Sequence, residues 1–251
     1  MKKRRKLLKL LISTFCLSSV LILGTKSVSA ADSLHPRQMT TQEKVNTLHD
    51  IWRNPIHTHQ RYKIAPAKFP RRGISFESHW FSERGKIAWN DPNNTLPNQP
   101  MTGLDLSLHK QPWNPNYDDM ISVQGGAIPY EAILHGGDKI TIKAPRKDIN
   151  QYFGYKAYNG NGWTSFSGDA NAANYQKFEI NIANRVSGGG PDKRLISLKN
   201  MVNNKFLYVD NDGFINSDGL DTEHSNSQWV FVPVDYFGNL LDKDGKILKT
   251  N

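Results

Sequence analysis

Arg194-Leu-Ile-Ser-Leu-Lys199, Lys205-Phe-Leu-Tyr-Val-Asp-Asn-Asp-Gly-Phe-Ile215 and Ser227-Gln-Trp-Val-Phe-Val-Pro-Val-Asp235 are short runs in which apolar and polar side chains alternate. A period of two places Ile196 and Leu198 on one face of an extended chain and Leu195, Ser197 and Lys199 on the other, so the first run predicts a strand. Phe206 to Val209 predicts a second. Asn211-Asp212-Gly213 then turns the chain, because these residues tolerate positive φ, and Phe214-Ile215 follows as a third. Trp229 to Val232 predicts a fourth.

The same order of elements stands upstream. Ile140-Thr-Ile-Lys143 matches Ile196-Ser-Leu-Lys199, Phe153-Gly-Tyr155 matches Leu207-Tyr-Val209, Gly162-Trp163 matches Gly213-Phe214, and Phe178-Glu-Ile180 matches Trp229-Val-Phe231. The chain therefore carries an internal repeat of about fifty residues, each copy a unit of four strands, at about 137–182 and 193–235.

Each copy resembles one lobe of a β-trefoil of the fascin-like or ricin-B-like lectin families: an alternating strand after Gly137-Asp138, an aromatic strand of the Phe-Leu-Tyr-Val kind, an Asp-Gly turn and a closing Ser227-Gln228-Trp229. The resemblance implies a mostly β fold, a β-trefoil-like domain with a short N-terminal helix; a β-sandwich built from the same strands is the alternative. A trefoil needs a third lobe. It is sought in a degenerate copy within 74–130 around Leu104, Leu106 and Leu108, or in completion by the segment from Leu240 to Leu248. Lobes of these families bind glycans in shallow pockets through an aromatic ring and polar side chains. That implies Tyr158, Asn159, Asn161 and Trp163 in one copy and Asp210, Asn211, Asp212 and Gln228 in the other as glycan-binding candidates.

Outside the repeat, residues 1–30 read as a signal peptide: a basic start, an apolar stretch from Leu10 to Leu23, and Val28-Ser29-Ala30 as a small-residue cleavage site. Secretion, with cleavage after Ala30 and a Gram-positive look to the signal, is the expectation. Seven of the 32 basic residues and no acidic residue lie in that leader, so the remainder holds 25 basic against 23 acidic residues. That near balance removes the electrostatic case for nucleic-acid binding. The single cysteine, Cys16, lies in the leader, so no disulfide framework or thiol nucleophile remains.

Residues 31–73 read as an N-terminal helix and a basic connector, and 74–251 as the β-rich domain. Thr40 and Glu43 form a capping-box pattern, Val45, Leu48, Ile51 and Trp52 recur at helical spacing, and Asn54-Pro55 stops the run. Its basic flanks also suit peripheral contact with a membrane. Arg61 to Arg72, with Pro66 and Pro70, reads as the extended connector. Among the aromatic residues Trp80, Phe81, Trp89, Trp113 and Tyr117, turn clusters alternate with strands, one of them at Met120 to Val123.

No pattern of a hydrolase elbow, zinc site or phosphate loop is present, and Gly188-Gly189-Gly190 lacks the helix and Lys-Ser/Thr ending of one. His57 and His59 stand at a chelating spacing but without further ligands. Asp242-Lys-Asp-Gly245 resembles the start of a calcium loop that lacks its closing Glu. Neither a metal nor a cofactor is expected. Carboxylates at Glu77, beside His79 and Trp80, Glu83 and the Asp118-Asp119 pair are where a glycan hydrolase would be sought. The leading expectation is a secreted, non-enzymatic protein that recognises a cell-surface glycan or receptor as a bacteriocin- or toxin-like factor, with a plain lectin or adhesin as the alternative.

Overall fold

Trp229, Phe178 and Leu106 mark the same place in three copies of one unit. The computed structural model describes residues 39–79, 82–88, 101–111, 132–145, 150–158, 161–167, 173–184, 191–219 and 224–248, all inside a unit running from Arg37 to Asn251. The predicted leader, Asn159, the strand at Met120 to Val123, the Asp118-Asp119 pair, Gly188 to Gly190 and five aromatic residues (Trp80, Phe81, Trp89, Trp113 and Tyr117) lie outside the described residues.

Among the described residues twelve strands follow one another: β1 (Arg61–Pro66), β2 (Ile74–His79), β3 (Ser82–Ile87), β4 (Leu106–Gln111), β5 (Asp138–Pro145), β6 (Asn150–Tyr158), β7 (Asn161–Ser167), β8 (Lys177–Asn184), β9 (Pro191–Asn200), β10 (Phe206–Val209), β11 (Ile215–Gly219) and β12 (Trp229–Val234). β1 pairs with β4, β4 with β5, β5 with β8, β8 with β9, β9 with β12, and β12 with β1, all antiparallel. Six strands thus close into a barrel, which two stacked sheets of a sandwich do not do. The remaining strands form three hairpins, β2–β3, β6–β7 and β10–β11. These hairpins touch one another, β3 on β7 and β7 on β11, with a bridge between Lys86 and Phe214. A closed barrel with a triplet of hairpins over one end is a β-trefoil-like architecture.

The register shows the threefold repetition residue by residue. Within each lobe the first and fourth strands pair at Tyr62 with Leu106, Ile140 with Phe178, and Ile196 with Trp229. Between lobes Ile64 meets Phe231, Ile142 meets Leu108, and Leu198 meets Ile180. All twelve side chains are buried in a single cluster. Two layers, each with two side chains per lobe, fill the barrel and exclude water; burying apolar area there supplies the main stabilisation.

The first lobe corrects the predicted connector. Arg61 to Pro66 is β1, whose Tyr62, Ile64 and Ala65 are buried, and the lobe ends at β4 with the predicted Leu106 and Leu108. The helix is also shorter than its periodicity predicts. α1 spans Thr41–Asn46 with both halves of the Thr40–Glu43 capping box formed. Leu48, Ile51 and Trp52 fall beyond it. Asp50 ends any continuation, because its carboxylate accepts the backbone N–H groups of Trp52 and Asn54 and Arg53 takes a φ of 71°.

Past α1 the chain closes the barrel end where β1, β5 and β9 begin. Leu48 N–H donates to Leu134, Leu134 N–H to Ile56, and Ile56 N–H to Leu48. Leu48, Ile56 and Leu134 join the core with no exposed surface. A five-residue turn recurs there. At Asp50, Asp235 and Asp242, as at Asp210 on the opposite end, the Asp carboxylate accepts two backbone N–H groups at the second and fourth positions after it. The Asp242 turn predicted to resemble a calcium loop is one of these turns.

Candidate functional site

The hairpin cap brings charge and aromatic surface together. Because side chains alternate along β3, Arg84 and Lys86 share a face while Gly85 and Ile87 turn inward and are buried. Arg84 stands opposite Ser165 of β7, and Trp163 of β7 stands opposite Asn216 of β11. The result is a guanidinium held between two rings from different lobes, its central carbon 4.1 Å from the Trp163 ring centre and 3.7 Å from that of Phe214. Lys86 Nζ lies 4.4 Å from the Phe214 ring and forms an ion pair with Glu77. Each such cation–ring contact contributes on the order of 1 kcal/mol.

A polar relay fixes the arrangement from the third lobe. Asp210 Oδ1 accepts the N–H groups of Asp212 (3.0 Å) and Phe214 (2.8 Å), which sets the turn and the direction in which Phe214 leaves it. Asp210 Oδ2 accepts from Asn216 Nδ2 at 2.9 Å, and Asn216 Oδ1 accepts from Arg84 Nη2 at 3.4 Å. Thr164 Oγ1 donates to the Ile215 carbonyl at 2.7 Å and locks β7 to β11. Burial lowers the basicity of Arg84, while the charges of Asp210, Glu77 and Asp212 pull the other way. Its Nε is buried and has no partner among the described residues. A cationic, immobilised guanidinium with an unspent N–H is suited to donate to a carboxylate or hydroxyl oxygen. Asn211 and Asp212 stand exposed on the rim.

Of the predicted candidates, Trp163 and the turn from Asp210 to Asp212 meet here through Arg84. Asp210 serves as the organiser of the turn, since both its oxygens are occupied. Tyr158 and Asn161 pair with each other at the far end of the β6–β7 hairpin. Gln228 is a correction: it is 1% exposed and donates to the Asn184 carbonyl, so it ties β12 to the end of β8 from inside. Glu77 is exposed and engaged by Lys86. Arg84, Lys86, Phe214 and Asn216 were not predicted. Their sequence signal is faint, an alternation of charge in Ser82-Glu-Arg-Gly-Lys86 on a strand whose lobe was not recognised.

No protein-family model matches the chain, and no curated protein matches its sequence. Solved structures do. The chain is similar to the botulinum neurotoxin serotype D binding domain, with 14% identity and a TM-score of 0.56 over 76% of this chain and 45% of that one. It is similarly related to the serotype D ligand-binding domain in complex with N-acetylneuraminic acid (14% identity, TM-score 0.55, 76% and 45%) and to the serotype C1 binding domain (13%, 0.51, 76% and 46%). The chain thus spans about half the length of these domains, and the likeness is one of fold.

Proposed function

We propose that the protein is a secreted, non-enzymatic recognition factor whose hairpin cap binds an acidic cell-surface glycan. The observation that carries this reading is Arg84, clamped between Trp163 and Phe214 with an unspent N–H. A sialic-acid-bearing glycan offers a carboxylate for the guanidinium, hydroxyls for Asn211 and Asp212, and an apolar C–H surface for ring edges. Support from outside the chain is the fold shared with toxin binding domains, one of them solved with N-acetylneuraminic acid. The leader over 1–30 supports export, and the same likeness of fold to toxin binding domains favours a toxin- or bacteriocin-like role over a plain adhesin. The closing Ser227-Gln228-Trp229 supports kinship with the ricin-B-like and fascin-like lectins only through the lobe core, because Gln228 is buried.

A glycan array probed with the purified protein tests the reading. Sialylated glycans are expected to be retained and their desialylated counterparts not, and Arg84→Ala to weaken binding at least ~10-fold, in line with the loss of a charge-assisted hydrogen bond. Equal retention of desialylated glycans, or unchanged binding by Arg84→Ala and Trp163→Ala alike, would remove the cap as the site.

A further inference from the structure

At the opposite end of the barrel lies an open cavity of about 410 Å3, lined by the 50–57 segment, the start of β1, the end of β12 and the Asp242 turn. Its size falls within the range of pockets that hold small molecules. Pro55, Ile133, Pro233 and Leu241 supply apolar wall, and His57 and Tyr62 also line it.

The charged and amide groups around it are already engaged. Asp50 accepts from Trp52 and Asn54. Asp242 accepts from the N–H groups of Asp244 and Lys246. Lys243 holds Asp244 at 2.8 Å. Gln60 donates its amide to the carbonyls of Arg61 and Val234. Two groups differ. The Tyr62 phenol accepts the His57 N–H at 3.1 Å and, among the described residues, donates to nothing. Nδ1 of His57 is buried with no hydrogen-bond partner among the described residues. Leaving such atoms unsatisfied costs free energy, so a ligand that supplies their hydrogen bonds recovers it. Burial and the neighbouring His59 lower the His57 pKa to about 4, and burial pushes the Tyr62 phenol upward, so both are neutral at pH 7.

We infer that this pocket at the barrel mouth is a binding site for a neutral, hydroxyl-rich ligand about the size of one or two sugar rings. A hydroxyl both donates and accepts, so it serves the phenol O–H and either tautomer of the His57 ring. The apolar C–H face of a pyranose matches walls of Pro and Leu. An anion gains nothing here, since among the described residues lining the pocket the one cation, Lys243, is engaged by Asp244. The site is made by the N-terminal segment and the C-terminal turns, and it does not depend on the cap or on its reading.

The test is a titration of the full-length, 15N-labelled chain followed by NMR, with galactose, N-acetylglucosamine and N-acetylneuraminic acid as separate probes at millimolar concentrations. Two reporters serve: the His57 ring at the pocket, and the Trp52 indole, whose N–H donates to the carbonyl of the lining residue Leu241 at 2.8 Å. At least one neutral sugar is expected to shift both saturably. Tyr62→Phe, which keeps the ring and removes the phenol that also accepts the His57 N–H, is expected to weaken that response at least ~10-fold and to lower the melting temperature modestly, and Arg84→Ala to leave the response unaltered. Should Tyr62→Phe fail to fold, Leu241→Phe narrows the cavity instead and abolishes the response. No shift with either neutral sugar overturns the inference. So does a response that survives intact in Tyr62→Phe or, if that variant fails to fold, in Leu241→Phe, and so does one equally strong for N-acetylneuraminic acid.

Discussion

The two ends of the barrel are built from opposite materials. At the hairpin cap, cations lie on rings: Arg84 on Trp163 and Phe214, Lys86 on Phe214, with Glu77, Asp210 and Asp212 around them. At the mouth the chain has closed the barrel with Leu48, Ile56 and Leu134 and with three histidines, His49, His57 and His135, each made less basic chiefly by burial. The cap is held by three hairpins whose backbone pairing is self-contained, so its surface side chains are free to be chosen for a ligand. The mouth has no such frame. It is closed by residues outside the described strands, and Tyr62, a side chain of the core, also lines the pocket there, so seal and site share a residue.

That difference is open to a direct break. Truncating Leu48, which is fully buried against the barrel core, is expected to destabilise the protein by ~3 kcal/mol, the usual cost of Leu→Ala in a core that relaxes little. Truncating Phe214, half-exposed on the cap, is expected to cost ~1 kcal/mol, the worth of its cation–ring contacts. Urea unfolding of the two variants measures both. If Leu48→Ala costs no more than Phe214→Ala, the N-terminal segment is a surface strap and not part of the seal.

Much of this was legible in the sequence, and what was not has identifiable causes. Lobes two and three could be paired because Ile140 and Ile196, and Phe178 and Trp229, sit at near-constant spacing and occupy equivalent positions in the pairing register. Lobe one escaped because Tyr62 takes the place of an Ile, β1 lies in a basic, proline-bearing run, and residues 88–105 separate β3 from β4 and spoil the period. The capping box was readable since both its partners are local. The length of α1 was not, since Leu48, Ile51 and Trp52 have helical spacing but are claimed by Leu134, Phe231 and the Asp50 turn. At the cap, Trp163 and Asp210 to Asp212 could be picked out as residue types, whereas Arg84 gains its meaning only from two rings in other lobes. Gln228 was misplaced because a Gln before a Trp carries no sign of which way its amide points.

The neutral histidines give a second contrast, smaller than the seal itself. Unfolded, His57 takes up a proton near pH 6.5; folded, it does so only near pH 4. The unfolded chain therefore binds the proton first, and stability falls as pH drops through the window from ~6.5 to ~4 and levels off below it. With the ring partly exposed, the loss is expected to be at most ~2 kcal/mol. Comparing urea midpoints at pH 7 and 4.5 for the parent and for His57→Gln isolates it, since other acids contribute equally to both. A parent and variant that lose the same stability would show that the ring carries no such load.

The repeated Asp turn allows the finest comparison, because one motif stands in two surroundings. Gly213 at the cap and Gly245 at the mouth occupy the same position of the turn, with φ of 83° and 73°, a region that side chains enter at a cost of ~1 kcal/mol. A methyl group at Gly245 meets nothing within 4 Å, so Gly245→Ala is expected to show the backbone cost alone. At Gly213 the same methyl comes within 3.3 Å of Ile87 Cγ1, a buried side chain of β3 in the neighbouring lobe. Gly213→Ala should therefore cost a few tenths of a kcal/mol more, and it should do so by pushing the turn away from β3, the strand that carries Arg84. Glycan binding is the sharper readout of the two. Gly213→Ala is expected to weaken binding of the sialylated glycan at the cap while Gly245→Ala, at the other end of the barrel, leaves that binding unchanged, and equal effects on it would mean that the turn at Asp210 does not position the cap.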